Sequence, residues 1–179
     1  MAQPTVPLYT YAEYLEALDA SHIRLEFVDG LVYAMAGGTP EHNRIVMRLT
    51  LLVGNQLVRP CEAFGPDQKI RAGGAAFFPD LSVICGEPQL AEGDRNAFTN
   101  PSLVFEVLSP STAATDQTTK ADRYKTLSSL REYVLVWQME RRVQVHRREG
   151  ATFTVVDYGA ADTLALSAGV RVAVQELYP

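Results

Sequence analysis

The chain has no apolar run approaching the roughly 20 residues that a membrane-spanning helix requires. Near its start it places Glu13, Glu16 and Asp19 where a secretory leader would need a basic and then an apolar stretch. These absences predict a cytoplasmic protein with no membrane partner. Cysteine is scarce too. Cys61 and Cys85 have neither zinc-ligand spacing nor a C-x-x-C arrangement, so they read as reduced, structural thiols. Internal repeats and low-complexity tracts are missing. Positive charge is in deficit, with 16 Lys and Arg against 21 Asp and Glu and a formal net charge of −5. That balance argues against a constitutive, high-affinity nucleic-acid binder, which would rest on many cationic phosphate contacts. The deficit is uneven. From Gln117 to Gly150 eight basic residues face four acids, a local excess of +4, so this half could meet a polyanion or simply be a solvated face.

With 179 residues and 47% hydrophobic content, the chain is the size of one domain with a sizeable core, spanning residues 1–179. Thr10-Tyr11-Ala12-Glu13 is a capping box and predicts a helix from about Tyr11 to Ala20. Asp29-Gly30 between alternating runs predicts a hairpin of Arg24–Val28 with Leu31–Met35. Thr39-Pro40 supplies a cap and a first-position proline for a long helix that ends before Pro60. Gln68–Ala72 and Ala75–Cys85 read as a hairpin around Gly73-Gly74. Gly86–Pro101 reads as the longest loop, bordering the site and able to move. A strand at Leu103–Leu108, a helix from about Thr115 to Ser129, and a hairpin of Glu132–Trp137 with Val143–Arg147 follow. Thr152–Asp157 and Val170–Val174 are weaker strands. The order predicts a mixed sheet with helices packed on it, an α/β fold.

Two residues break this apolar pattern. Asp80 lies in Pro79-Asp80-Leu81-Ser82-Val83-Ile84-Cys85, and Glu106 in Leu103-Val104-Phe105-Glu106-Val107-Leu108. An ionised carboxylate buried unpaired would cost several kcal/mol or take up a proton, so something must compensate both. Alternation puts Asp80 with Ser82 and Ile84, and Glu106 with Val104 and Leu108, so the acids converge if the strands are neighbours. Two hard-oxygen anions side by side suit Mg2+ or Mn2+. Asp116, Lys120, Arg123, Tyr124 and Leu127 share one face of the next helix, which can turn Lys120 toward the acids. There an ammonium could assist an attacking water or the charge developing on phosphorus.

Pro79-Asp80, Glu106-Val107-Leu108-Ser109-Pro110-Ser111-Thr112, and then Asp116, Lys120 and Tyr124 closely resemble the Uma-two family, restriction-endonuclease-like proteins of the PD-(D/E)XK nuclease-like superfamily. The resemblance extends over Leu25–Gly30, Pro40-Glu41-His42 and Glu132–Val136. It implies an αβββαβ core and a Mg2+- or Mn2+-dependent endonuclease acting on nucleic acid, DNA in preference to RNA. It further implies a metal held by Asp80, Glu106 and the Val107 carbonyl, with Lys120 as the lysine. The superfamily lysine two residues past the second acid is absent, since position 108 is leucine. An added acid from Glu26 or Glu41 would complete the site, with His42 and Asp116 as neighbours. Nucleases that cut both strands often work as two-fold pairs, so a homodimer is expected.

Each residue also has a plainer reading. Asp80 could cap a turn, Glu106 could be neutralised by Arg71 or Arg123, and Lys120 could be a surface lysine. His42 reads as structural rather than metal-ligating, and Tyr124 as core. The rival function is a non-catalytic nucleic-acid or protein interaction domain that retains the fold.

Overall fold

A computed structural model describes residues 7–35, 37–110 and 112–178, so Ser111 of the motif lies outside the described residues. Local signals set several elements. Thr10 caps helix α1 (Tyr11–Ala20) reciprocally, its hydroxyl accepting from the Glu13 amide at 3.2 Å while its own amide donates to the Glu13 carboxylate at 2.7 Å. Strands β1 (Leu25–Val28) and β2 (Leu31–Ala34) turn through Asp29 and Gly30, both at positive φ as a type I′ turn requires. Thr39 caps helix α2 (Pro40–Gly54), accepting from the His42 amide at 3.2 Å. That cap fixes where the His42 side chain starts.

The remaining elements are β3 (Cys61–Phe64), β4 (Lys69–Ala72), β5 (Ala75–Phe77), β6 (Leu81–Cys85), β7 (Leu90–Ala91), β8 (Asp94–Phe98) and β9 (Leu103–Leu108). Helix α3 (Ala113–Thr115), a π-helical turn (Asp116–Lys120) and α4 (Ala121–Lys125) run on into one another. Strands β10 (Glu132–Trp137), β11 (Val143–Glu149), β12 (Thr152–Tyr158), β13 (Thr163–Ala165) and β14 (Arg171–Ala173) complete the fold.

One mixed sheet has the order β12-β11-β10-β9-β6-β3, a second the order β2-β1-β5-β4-β8-β7, and β13 pairs with β14. In the first sheet only β9 and β10 are parallel. Reading α2, β3, β6, β9, the α3–α4 segment and β10 in chain order gives the αβββαβ core. Residues 103, 105 and 107 of β9 point to α2, where Ile45, Val46, Leu49 and Val53 pack with the C-terminal strands. Val104 and Leu108 point the other way, to Phe77, Ala121, Tyr124 and Tyr133. Glu106 therefore enters the second core, between the sheets. Helix α1 covers the outer side, with Tyr14 on Phe27 and Ala76.

Four expectations need correction. The run Ala75–Cys85 is two strands in different sheets: Pro79 has no N–H to donate, and the chain crosses over at Phe78-Pro79-Asp80. Asp80 thus lies in the bend just before β6. The expected loop Gly86–Pro101 contains the β7–β8 hairpin, held where β8 runs parallel to β4. Its anchor is Asp94, whose carboxylate is 2.7 Å from the buried Lys69 ammonium and accepts the Tyr11 hydroxyl. The predicted helix to Ser129 stops at Lys125. The cysteines are joined by a disulfide, because the β3–β6 register sets Cys61 opposite Cys85. Among the described residues, no helix is long and apolar enough to cross a membrane.

Leu49 is fully buried in the α2 core, so Leu49→Ala should cost about 2–5 kcal/mol in urea unfolding. Thiol titration of the denatured, unreduced protein should find no free cysteine. His146 faces Tyr133 across β10 and β11, and burial holds its pKa down at about 4. The unfolded chain then binds more protons between about pH 6.5 and 4, so the fold loses stability as pH falls through that window. The loss should shrink in His146→Gln, read as the urea midpoint against pH.

Candidate active site

Strands β6 and β9 pair antiparallel with Leu81 opposite Phe105, and one step further the register sets Asp80 opposite Glu106. The Val107 amide donates to Asp80 Oδ2 at 2.7 Å, so the first acid is anchored to the strand carrying the second. His42 Nε2 approaches the same oxygen at 3.3 Å from the first turn of α2.

Lys120 is at the centre. It is only 5% exposed, and its ammonium lies 3.1 Å from Glu26 Oε1, 3.2 Å from Asp116 Oδ1 and 3.3 Å from Glu106 Oε1. The π-helical turn carries both Asp116 and Lys120 inward, a local geometry that recurs at functional sites. Glu26 comes from β1 and accepts from the Phe78 amide at 3.2 Å, which ties the β1–β2 hairpin to the crossover beside Asp80. The Tyr124 hydroxyl reaches Glu106 Oε1 at 3.4 Å, and the Tyr133 hydroxyl donates to the Asp116 carbonyl at 2.8 Å.

The chain therefore brings Glu26, Asp80, Glu106, Asp116, Lys120, His42 and the Val107 main chain together. Glu41 stays outside, exposed and paired with Arg44 in its own helix. Neither candidate arginine neutralises Glu106: Arg123 pairs with Asp29 and Arg71 stacks on Tyr11. Tyr124 is core, as expected, yet its hydroxyl also serves the site. Nothing in its apolar spacing signalled that. None of residues 86–101 lines the cleft beside Lys120, which corrects the expectation that this segment borders the site.

Burial pushes the Glu106 carboxyl well above its ordinary range, an effect that Lys120 opposes and Asp116, Asp80 and Glu26 reinforce. Burial raises Asp116 as well. For Lys120 burial acts to lower the pKa, but Glu106, Glu26 and Asp116 outweigh it and raise it, so the ammonium stays charged. The hydrogen bond with Asp80 raises His42.

Four carboxylates face one ammonium and one imidazole, and three of the four share Lys120 as their ion-pair partner. A low-dielectric interior tolerates such surplus charge poorly, and a divalent cation or protons would relieve it. The donors are hard oxygens, which fits Mg2+ or Mn2+. Among the described residues no three His, Cys, Asp or Glu side chains form a closed metal cluster. Mg2+ commonly takes one or two carboxylates and leaves its other positions to water and substrate.

Comparison with known proteins agrees with this architecture. Two uncharacterized proteins of Synechocystis are 35% and 34% identical to the chain, over 84% and 96% of it and 86% and 92% of their own lengths. A crystal structure from Anabaena variabilis, described as that of a putative nuclease, superposes with a TM-score of 0.76 at 21% identity, covering 94% of this chain and 97% of the other. That likeness establishes the nuclease-like fold. A family model described as "Putative restriction endonuclease" matches residues 11–177, and the chain belongs to that family, Uma2.

Proposed function

We propose that this chain is a Mg2+- or Mn2+-dependent endonuclease that hydrolyses phosphodiester bonds of nucleic acid, DNA in preference to RNA. The observation that carries the reading is the Lys120 ammonium within 3.3 Å of Glu106, while Asp80 is bonded to the next residue of the same strand. In this reading Asp80, Glu106 and the Val107 carbonyl hold the metal. The ion supplies a Lewis acid and a water of lowered pKa. Lys120 stays protonated at neutral pH, so it acts as a positive hydrogen-bond donor to the charge developing on phosphorus rather than as a base. Glu26 fixes Lys120 through one carboxylate oxygen and completes the acid set in place of Glu41. Asp116 holds the ammonium from within the same helical segment. Tyr124 orients the Glu106 carboxylate. His42 steadies Asp80. A homodimer of one-domain subunits is the assembly proposed.

Cleavage of plasmid and oligonucleotide DNA in Mg2+ or Mn2+ tests the reading, with EDTA as the control. Lys120→Ala should lower the rate at least a hundredfold, the scale of losing one preorganised donor. A rate indifferent to that change would mean a contaminant or another site. Glu26→Gln should lower activity, whereas Glu41→Gln should leave it unchanged. Calorimetry should show Mn2+ heat for the wild type and none for Asp80→Ala; equal heats would remove the metal site.

Glu106→Gln separates a working site from a structural one. It keeps a hydrogen-bonding partner for Lys120 and Tyr124 but removes one of three anions crowding a single buried ammonium. Cleavage should vanish while the urea midpoint in EDTA rises, as expected where function is kept at the expense of stability. A lowered midpoint together with no wild-type cleavage would favour the interaction-domain reading.

A further inference from the structure

The cleft beside Lys120 holds about 410 Å3 and lies between the β1–β2 hairpin and the Thr112–Lys120 segment, with Phe77 also lining it. Glu26, Asp116 and Lys120 form part of its wall, so it is continuous with the candidate active site. The hairpin register sets Tyr33 directly opposite Glu26, which places the two side chains on the same face. Tyr33 lines this cleft and is 49% exposed, and its hydroxyl has no hydrogen bond among the described residues. Val28 and Met35 extend the apolar side, and Thr115 and Thr119 supply hydroxyls across from it.

The charges at this wall are two carboxylates and one ammonium that they already neutralise, so a second phosphate would be repelled. A flat, neutral group with polar edges fits instead. We propose that this cleft takes a nucleobase of the substrate, stacked on Tyr33, next to the phosphodiester held at Glu106 and Lys120. The inference rests on the endonuclease reading and narrows its substrate class. A base can enter only if it has left the duplex stack, so the preferred substrate is single-stranded, frayed or otherwise unpaired. The backbone runs past the acids while the base turns into the cleft, and Tyr33 is a positioning residue rather than a catalytic one.

Fluorescence anisotropy with Ca2+ in place of Mg2+ tests the proposal. The probes are a fluorescein-labelled 12-nucleotide single strand, a strand of equal length made of abasic units, and a blunt duplex. The wild type should bind the base-bearing strand most tightly. Tyr33→Ala should weaken that binding about tenfold, the scale of losing one base–aromatic stack, while leaving the abasic strand unchanged. Tyr33→Phe should keep the affinity. Equal affinity for base-bearing, abasic and duplex probes would overturn the proposal, as would a Tyr33→Ala protein that binds like the wild type, or no binding of any probe. Failure of the nuclease reading looks different: base-dependent binding would persist with no Mg2+-dependent cleavage. Cleavage with a KM unmoved by Tyr33→Ala would instead leave the hydrolase standing and remove the cleft.

Discussion

One ammonium held among three carboxylates is the constraint around which the molecule is arranged. Lys120 is buried, and an isolated charge there would lose its proton or destabilise the fold. Glu26, Glu106 and Asp116 keep it charged, and each comes from a different element: the N-terminal hairpin, the central strand and the helical segment after it. The hairpin is therefore no ornament on the core. Without Glu26 the ammonium would lose its shortest contact, and without the Phe78 amide Glu26 would lose its own anchor.

The same cluster is electrostatically overfilled. With Asp80 beside it, acids outnumber bases in a region of little solvent, and burial drives Glu106 toward its neutral form. A fold selected only for stability would not favour this, since apolar residues of similar volume commonly do as well or better than buried ion pairs. In the endonuclease function proposed above, a divalent cation would relieve that surplus. The restriction-endonuclease-like core supplies the frame, since antiparallel pairing of β6 with β9 brings Asp80 and Glu106 together.

The elements outside that core shape the surroundings of the site. The second sheet, built from β1, β2, β4, β5, β7 and β8, closes over the face of β9 from which Glu106 emerges. It converts an open sheet face into a cleft with an aromatic residue at its rim. The core carries Asp80, Glu106 and Asp116, while the second sheet adds Glu26 and shapes what can reach them.

Much of this was legible in the residues. Alternation placed Glu106 on the face it occupies, capping signals located α1 and α2, and Asp-Gly located the first hairpin, because each depends on neighbours within a few residues. Carboxylates interrupting apolar strands marked the candidate site, since burial of charge demands a reason. Tertiary structure alone decided between Glu26 and Glu41, broke Ala75–Cys85 into strands of two sheets, turned a presumed loop into a hairpin and joined Cys61 to Cys85. The hairpin is a short-range pairing whose polar second strand, Asp94–Phe98, lacks the apolar alternation that signals a strand, and the other three are long-range matters: which carboxylate meets Lys120, or which cysteine meets another, is set by contacts across tens of residues, and no local pattern encodes that.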